Sequence, residues 1–252
     1  MIRKTGSEKT ASFFKKFFLS LAATALPTLL WSWPETASSK SFAEQRNRMV
    51  ELDLKKRGIS DPAVLQAMLK VPRHEFVEDD QRNIAYADRA LPIKENQTIS
   101  QPYIVALMTE SAHLKPTDKV LEIGTGSAYQ AAVLAEIVGE VYTIEIVKAL
   151  AQEAAGRLAR LGYDNVSARQ GDGYQGWESA GPFDAILITA ATPKIPRPLV
   201  DQLKAGGRMV LPLGDLRMSQ NLIVLTKKKD GTLHKEFITG VVFVPMTGEV
   251  RQ

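Results

Sequence analysis

A chain of 252 residues, 44% hydrophobic and without cysteine, is long enough for one large domain with an appendage, and it excludes a disulfide framework, a thiolate zinc site and a cysteine nucleophile. Its net charge of +4 resides in the first sixteen residues, where Arg3, Lys4, Lys9, Lys15 and Lys16 meet a single acid, Glu8. Taking those five from the 32 basic residues and that one from the 28 acidic residues leaves a neutral body, which lacks the basic footprint of a nucleic-acid binder.

Behind the basic head, Phe17 to Trp33 carries no charge. This is the layout of a secretory signal or a short membrane anchor, although Pro27 and the modest length suit a spanning helix poorly. Ser41-Phe42-Ala43 offers a small-x-small cleavage site. Residues 1–40 are therefore expected to form a leader, with membrane contact through residues 17–33, and residues 41–252 the folded domain. A start lying upstream of the true domain is the alternative.

Phe42 to Arg57 reads as a charged surface helix closed by Gly58, and Ser60-Asp61-Pro62 as the start of a second helix reaching Lys70 before Pro72. His74 follows in an irregular connection without a placed partner. Ser100 stands where a helix N-cap belongs, with Pro102 in the first turn of an apolar helix from Tyr103 to Leu114. A hydroxyl there, beside free main-chain amides, can also receive a carboxylate.

Val120-Leu121-Glu122-Ile123 has the length and composition of a buried parallel strand. Gly124-Thr125-Gly126-Ser127 then turns the chain into a helix of Ala131, Ala132, Val133, Leu134, Ile137 and Val138, stopped by Gly139, and Val141 to Ile144 is a second strand ending in Glu145. This is one βαβ unit. Gly124 and Gly126 allow positive φ and a close approach of a ligand to the main chain. Glu145 follows the first glycine by about twenty residues, the distance at which an acid accepts from ribose hydroxyls. A dinucleotide site asks for a third glycine where this chain has Tyr129, which argues against a pyrophosphate. Glu122 points the same way, since it attracts an ammonium or sulfonium and repels a pyrophosphate. Taken alone the loop is equally an ordinary βα turn.

Further on, Val147 to Leu161 is a helix closed by Gly162, and Val166 to Arg169 a third strand leading into Gly171-Asp172-Gly173. A fourth strand runs from Phe183 to Thr189, a helix from Pro196 to Leu203, and a strand from Arg208 to Leu213 after Gly206-Gly207. Asn221 to Thr226 and Phe237 to Val244 are β-rich on either side of a solvated turn at Lys227-Lys228-Lys229-Asp230-Gly231. The expected fold is α/β: a Rossmann-like, mostly parallel sheet with helices on both faces, an N-terminal helical segment and C-terminal strands.

The acidic residue before GxGx(S/A) resembles the first motif of class I S-adenosylmethionine (AdoMet) methyltransferases. NQTISQPYIVALM at 96–108, immediately upstream, is similar to the signature of the protein-L-isoaspartate (D-aspartate) O-methyltransferases. LEIGTGSAYQAAVLA, Arg169 to Gly173, PFDAILITAATPKIPRPLVDQLKAGGRMVLPLG and Val244 to Thr247 extend the resemblance over residues 42–252. It implies AdoMet as methyl donor, held by Glu122, Gly124, Thr125, Gly126, Glu145, Gly171 and Asp172. It also implies isoaspartyl-containing proteins and peptides as acceptors, bound by Thr98, Ser100 and Thr247, with Ser100 orienting the carboxylate for catalysis. No metal and no nucleic acid are expected, and the chain is expected to be a monomer; a cytoplasmic location is expected because AdoMet is made in the cytosol, with export or anchoring through the leader as the alternative. The resulting ester then cyclises to a succinimide that reopens partly to normal aspartate. Competing readings are an AdoMet methyltransferase of RNA or a small molecule, which lacks an Asn/Asp-Pro-Pro-Tyr/Phe motif here, a dinucleotide-dependent oxidoreductase, and an anchored binding protein without turnover.

Overall fold

The computed structural model describes residues 41–215 and 217–248; the expected leader lies outside them. Among the described residues no helix is long and apolar enough to cross a membrane.

Ser41 caps the first helix, α1 (Phe42–Arg48). Its hydroxyl accepts from the Glu44 amide at 3.2 Å while its own amide donates to Glu44 Oε2 at 2.7 Å, a reciprocal capping box. The helical course runs on through a wide π-type turn, Met49–Leu54, and a tight 3-10 turn, Lys55–Arg57, to Gly58 at φ +99°. The expectation of a surface helix over 42–57 needs correction, because Met49, Val50 and Leu54 are fully buried. They fall within about 140° of one another around a helix, so they form an inward face, and the charges at Glu51, Asp53, Lys55 and Lys56 between and after them hide it in the sequence. Helix α2 (Pro62–Lys70) is capped by Asp61, as expected. Two 3-10 turns, Arg73–Glu75 and Asp79–Ile84, lead to a small hairpin of β1 (Leu91–Pro92) and β2 (Thr98–Ile99). Helix α3 (Pro102–Ser111) follows.

The remaining elements are β3 (Lys119–Ile123), α4 (Tyr129–Ala135), β4 (Glu140–Glu145), α5 (Lys148–Arg160), β5 (Val166–Gln170), β6 (Phe183–Ile188), α6 (Arg197–Asp201), β7 (Leu203–Leu213), β8 (Gln220–Lys227) and β9 (Leu233–Val241). The seven strands from β3 onward form one sheet in the order β5-β4-β3-β6-β7-β8-β9; the first five run parallel and the last two antiparallel. From β3 the chain winds outward through β4 to β5, then crosses back to β6 on the other side of β3. The C-terminal ends of β3 and β6 therefore part at a topological switch point, where open α/β sheets bind their ligands.

Alternation along the strands explains two cores. Val120, Ala185, Leu187 and Val210 belong to the face covered by α3, α4, α5 and the N-terminal helices, whereas Leu121, Ile186, Ile188 and Met209 belong to the face covered by α6 and the Tyr174 region. Helix α4 stops at Ala135, short of Gly139, because Asn165 Nδ2 binds the Ala135 and Val138 carbonyls and ties off the end. Strand β7 begins at Leu203, not Arg208. Gly206 and Gly207 are absorbed in a bulge opposite Asp184, where a Cβ on Gly207 would stand 2.7 Å from the Asp184 carbonyl. Strand β9 lies earlier than expected, so residues 242–248 leave the sheet. Met246 N donates to Ala191 O at 2.7 Å and Ala191 N to Val244 O at 2.8 Å, laying this strap across the C-terminal strand ends.

Candidate active site

The bend after β3 uses its glycines as the backbone demands. Gly124 takes φ +97° and Gly126 φ +51°, and Ala128 also enters the left-handed region at φ +69° to start α4. The Gly124 amide donates to Ile144 O at 2.9 Å, so the bend is stitched to β4. Thr189, just past β6, closes the other side: its hydroxyl lies 2.7 Å from Gly124 O and 3.0 Å from Ile123 O. A Cβ on Gly124 would stand 2.7 Å from that hydroxyl. No local pattern marks Thr189; its place at a strand end beside the switch point is the available signal.

A cleft of about 820 Å³, its mouth included, opens over the bend. Thr98, Ser100, Glu122, Gly124, Thr125, Gly126, Glu145 and Thr247 all line it, so eight of the expected site residues converge. Gly171 and Asp172 do not line it, although the next residue, Gly173, does. Asp172 caps a short turn, its Oδ1 accepting from the Tyr174 amide at 2.9 Å. Thr125 lines the cleft but directs its hydroxyl to Thr143 at 2.6 Å.

The two acids differ. Glu145 gives both oxygens to main-chain amides, Oε2 to Gly126 at 2.8 Å and Oε1 to Val147 at 2.9 Å, and so fixes the bend while lone pairs remain for a further donor. Glu122 is completely buried; Oε2 accepts from the Thr143 hydroxyl at 2.6 Å and Oε1 has no partner among the described residues. Burial, opposed by the Thr143 bond and helped by the charge of Glu145, pushes its pKa up to about 8. Among the described residues, two acids and no Lys, Arg or His line the cleft. A cationic ligand fits this wall and a pyrophosphate does not.

Ser100 is not the N-cap of α3. Strand pairing holds Thr98-Ile99 extended, so the helix begins one residue later, at Gln101, whose side chain makes no cap. Asp88 serves α3 from outside, Oδ1 accepting from Tyr103 N at 3.2 Å and Oδ2 from Gln101 Nε2 at 2.7 Å. The Ser100 hydroxyl makes no hydrogen bond among the described residues and is half-buried at the cleft wall. A second cleft of about 890 Å³ adjoins the first and shares Thr98, Ser100 and Thr189 with it; Val242 and Phe243 form part of its far wall. His74 is remote from both, stacked on Phe42 at 4.0 Å and hydrogen-bonded to Tyr86 at 2.7 Å.

Residues 44–251 match the family described as protein-L-isoaspartate(D-aspartate) O-methyltransferase. Protein-L-isoaspartate O-methyltransferase 2 of Polaromonas sp. (strain JS666) is 58% identical over 189 residues, 75% of this chain and 90% of the relative. The protein-L-isoaspartate O-methyltransferase of Synechococcus sp. (strain JA-2-3B'a(2-13)) is 55% identical over 83% of this chain and 88% of its own. A solved protein-L-isoaspartate O-methyltransferase superposes with a TM-score of 0.75 at 33% identity, covering 81% of this chain and 67% of its own. A Plasmodium falciparum structure described as a putative member, in complex with S-adenosyl-L-homocysteine, gives 0.70 at 29% identity over 80% and 98%. The chain belongs to the protein-L-isoaspartate (D-aspartate) O-methyltransferase family.

Proposed function

We propose that this chain transfers the methyl group of AdoMet to the free carboxylate of L-isoaspartyl and D-aspartyl residues in damaged proteins, initiating their repair, and that its two clefts divide the task. AdoMet, when bound, supplies an electrophilic methyl on a sulfonium. Glu122 and Glu145 hold it in the first cleft, with Gly124, Thr125 and Gly126 as the floor, and Asp172 beside Gly173 serves the purine edge. The unpartnered, buried Oε1 of Glu122 is the atom that asks for such a cation.

The acceptor enters through the second cleft. An isoaspartyl carboxylate is ionised at neutral pH, so it needs no general base, and neither cleft offers a histidine or lysine to act as one. The free hydroxyl of Ser100 donates to one carboxylate oxygen and leaves the other to attack, with Thr98 and Thr247 flanking it. Because neither cleft is lined by a cation among the described residues, the acceptor's nucleophilicity is not quenched there, and exclusion of water favours a step in which opposite charges neutralise. The wall shared by the clefts at Thr98, Ser100 and Thr189 carries this reading.

The neutral body argues for protein rather than nucleic-acid partners, a monomer suffices because one chain supplies both clefts, and the supply of AdoMet places the work in the cytoplasm. The test is base-labile methyl ester formation on an isoaspartyl peptide, with the aspartyl peptide as control. Equal labelling of both peptides, or of neither, overturns the assignment.

A further inference from the structure

Arg73 is fully buried and donates to two main-chain carbonyls, Nε to Ala85 O and Nη2 to Ser100 O, both at 2.7 Å. Its guanidinium carbon stands 4.7 Å from the centroid of the Tyr129 ring, and Nη1 has no partner among the described residues. Burial draws its pKa down to about 10, with Tyr129 opposing, so the charge remains at neutral pH.

Burying a cation that pairs with no carboxylate among the described residues carries a desolvation cost, which two neutral carbonyl acceptors offset only in part. The arrangement therefore asks for a geometric reason. Three segments distant in sequence meet on the one planar group: the end of the 79–84 turn, the acceptor loop at Ser100, and Tyr129, the first residue of α4 directly after the glycine bend. Phe76 packs edge-on at 5.5 Å against the same tyrosine ring, which holds that ring in place. We propose that Arg73 is a positioning residue for methyl transfer: by tying the Ser100 main chain to the Tyr129 ring, it sets the separation between the acceptor hydroxyl and the glycine bend. This rests on the acceptor role given to Ser100 above.

The experiment compares R73M and R73K with the unaltered chain. Titration with S-adenosyl-L-homocysteine counts binding-competent sites and gives Kd, and steady-state assays give kcat per competent site and KM for an isoaspartyl peptide. In-line transfer is sensitive to displacements near 1 Å, so kcat per competent site should fall about tenfold to a hundredfold in R73M, with Kd for S-adenosyl-L-homocysteine within about threefold. R73K should recover little, since an ammonium cannot reproduce two directed bonds and a stacked plane. A kcat per competent site within about twofold of the unaltered value in R73M, whatever its melting temperature, overturns the proposal. Where R73M yields no folded protein, the same criterion applied to R73K decides. S100A run alongside separates the two readings. A defective S100A with intact R73M and R73K removes the role of Arg73 alone; full turnover in S100A removes the acceptor role of Ser100, and with it the link drawn here.

Discussion

The hydroxyl of Thr143 donates to Glu122 Oε2 at 2.6 Å and leaves Oε1, wholly buried, without a partner among the described residues. Thr125 stands 2.6 Å behind Thr143, so a short polar chain runs from the glycine bend through the sheet to this carboxylate. Glu122 is thus held in place but half satisfied, a state that a bound cation completes.

A pH dependence follows. Burial raises the Glu122 pKa from 4.5 to about 8, so folding favours the neutral form. The stability this group contributes is complete below its unfolded pKa and is lost as pH rises through its folded pKa. Ligand-free protein should lose stability relative to E122Q across that window, with a slope approaching about 1.4 kcal/mol per pH unit. AdoMet affinity runs the opposite way, tightening as Glu122 ionises towards pH about 8, whereas E122Q should bind weakly at every pH. Urea unfolding and calorimetric titration over a pH series check both slopes; parallel curves for the two proteins would remove Glu122 from cation binding.

For S100A, turnover on an isoaspartyl peptide should drop about tenfold to a hundredfold, the scale for a reacting group that loses its orientation. AdoMet affinity should stay within about threefold, because the Ser100 hydroxyl supports no other group. Since Ser100 is not a helix cap, its melting temperature should move little. A loss of stability together with an equal loss of AdoMet binding would mean that the hydroxyl serves the fold instead.

How much of this was readable beforehand depends on the range of the forces involved. The Glu122, Gly124, Gly126 and Glu145 set was legible because a bend at positive φ and an acid at the next strand end are local demands on the chain. Met49, Val50 and Leu54 were not, because the charged residues interspersed with them make the segment read as a solvated face until the fold covers it. Gly206-Gly207 reads as a turn, and only the nearness of the Asp184 carbonyl makes it a bulge. Ser100 reads as a cap because Asp88, which serves α3 in its stead, lies twelve positions away in sequence and beside it only in space. Arg73 and Thr189 act on the site through tertiary contacts alone, and no neighbouring residue announces either.

In G124A a methyl group would meet Thr189 Oγ1 at 2.7 Å on a residue held at φ +97°. The left-handed backbone alone costs a non-glycine residue about 1–2 kcal/mol, and the contact adds to it. G124A should therefore lose about 2–3 kcal/mol in denaturant unfolding and bind AdoMet poorly. Adding T189A relieves the contact but not the backbone, so the double variant should regain only part of the stability. Full recovery would assign the need for glycine to space alone; no recovery would assign it to φ alone.

E145Q probes the stitch between the bend and β4. The carboxylate accepts from Gly126 N and Val147 N at once. A glutamine amide has a single acceptor oxygen, and its NH2 group, turned toward the second amide, sets donor against donor. Losing a hydrogen bond to a charged group costs about 1.5–3 kcal/mol, so AdoMet Kd should rise about tenfold to a hundredfold. Hydrogen exchange offers an independent readout: the Gly126 and Val147 amides should both lose protection in E145Q, while those of β3 keep theirs. If AdoMet binds E145Q normally while both amides exchange freely, the cofactor needs neither the ordered bend nor the charge at Glu145.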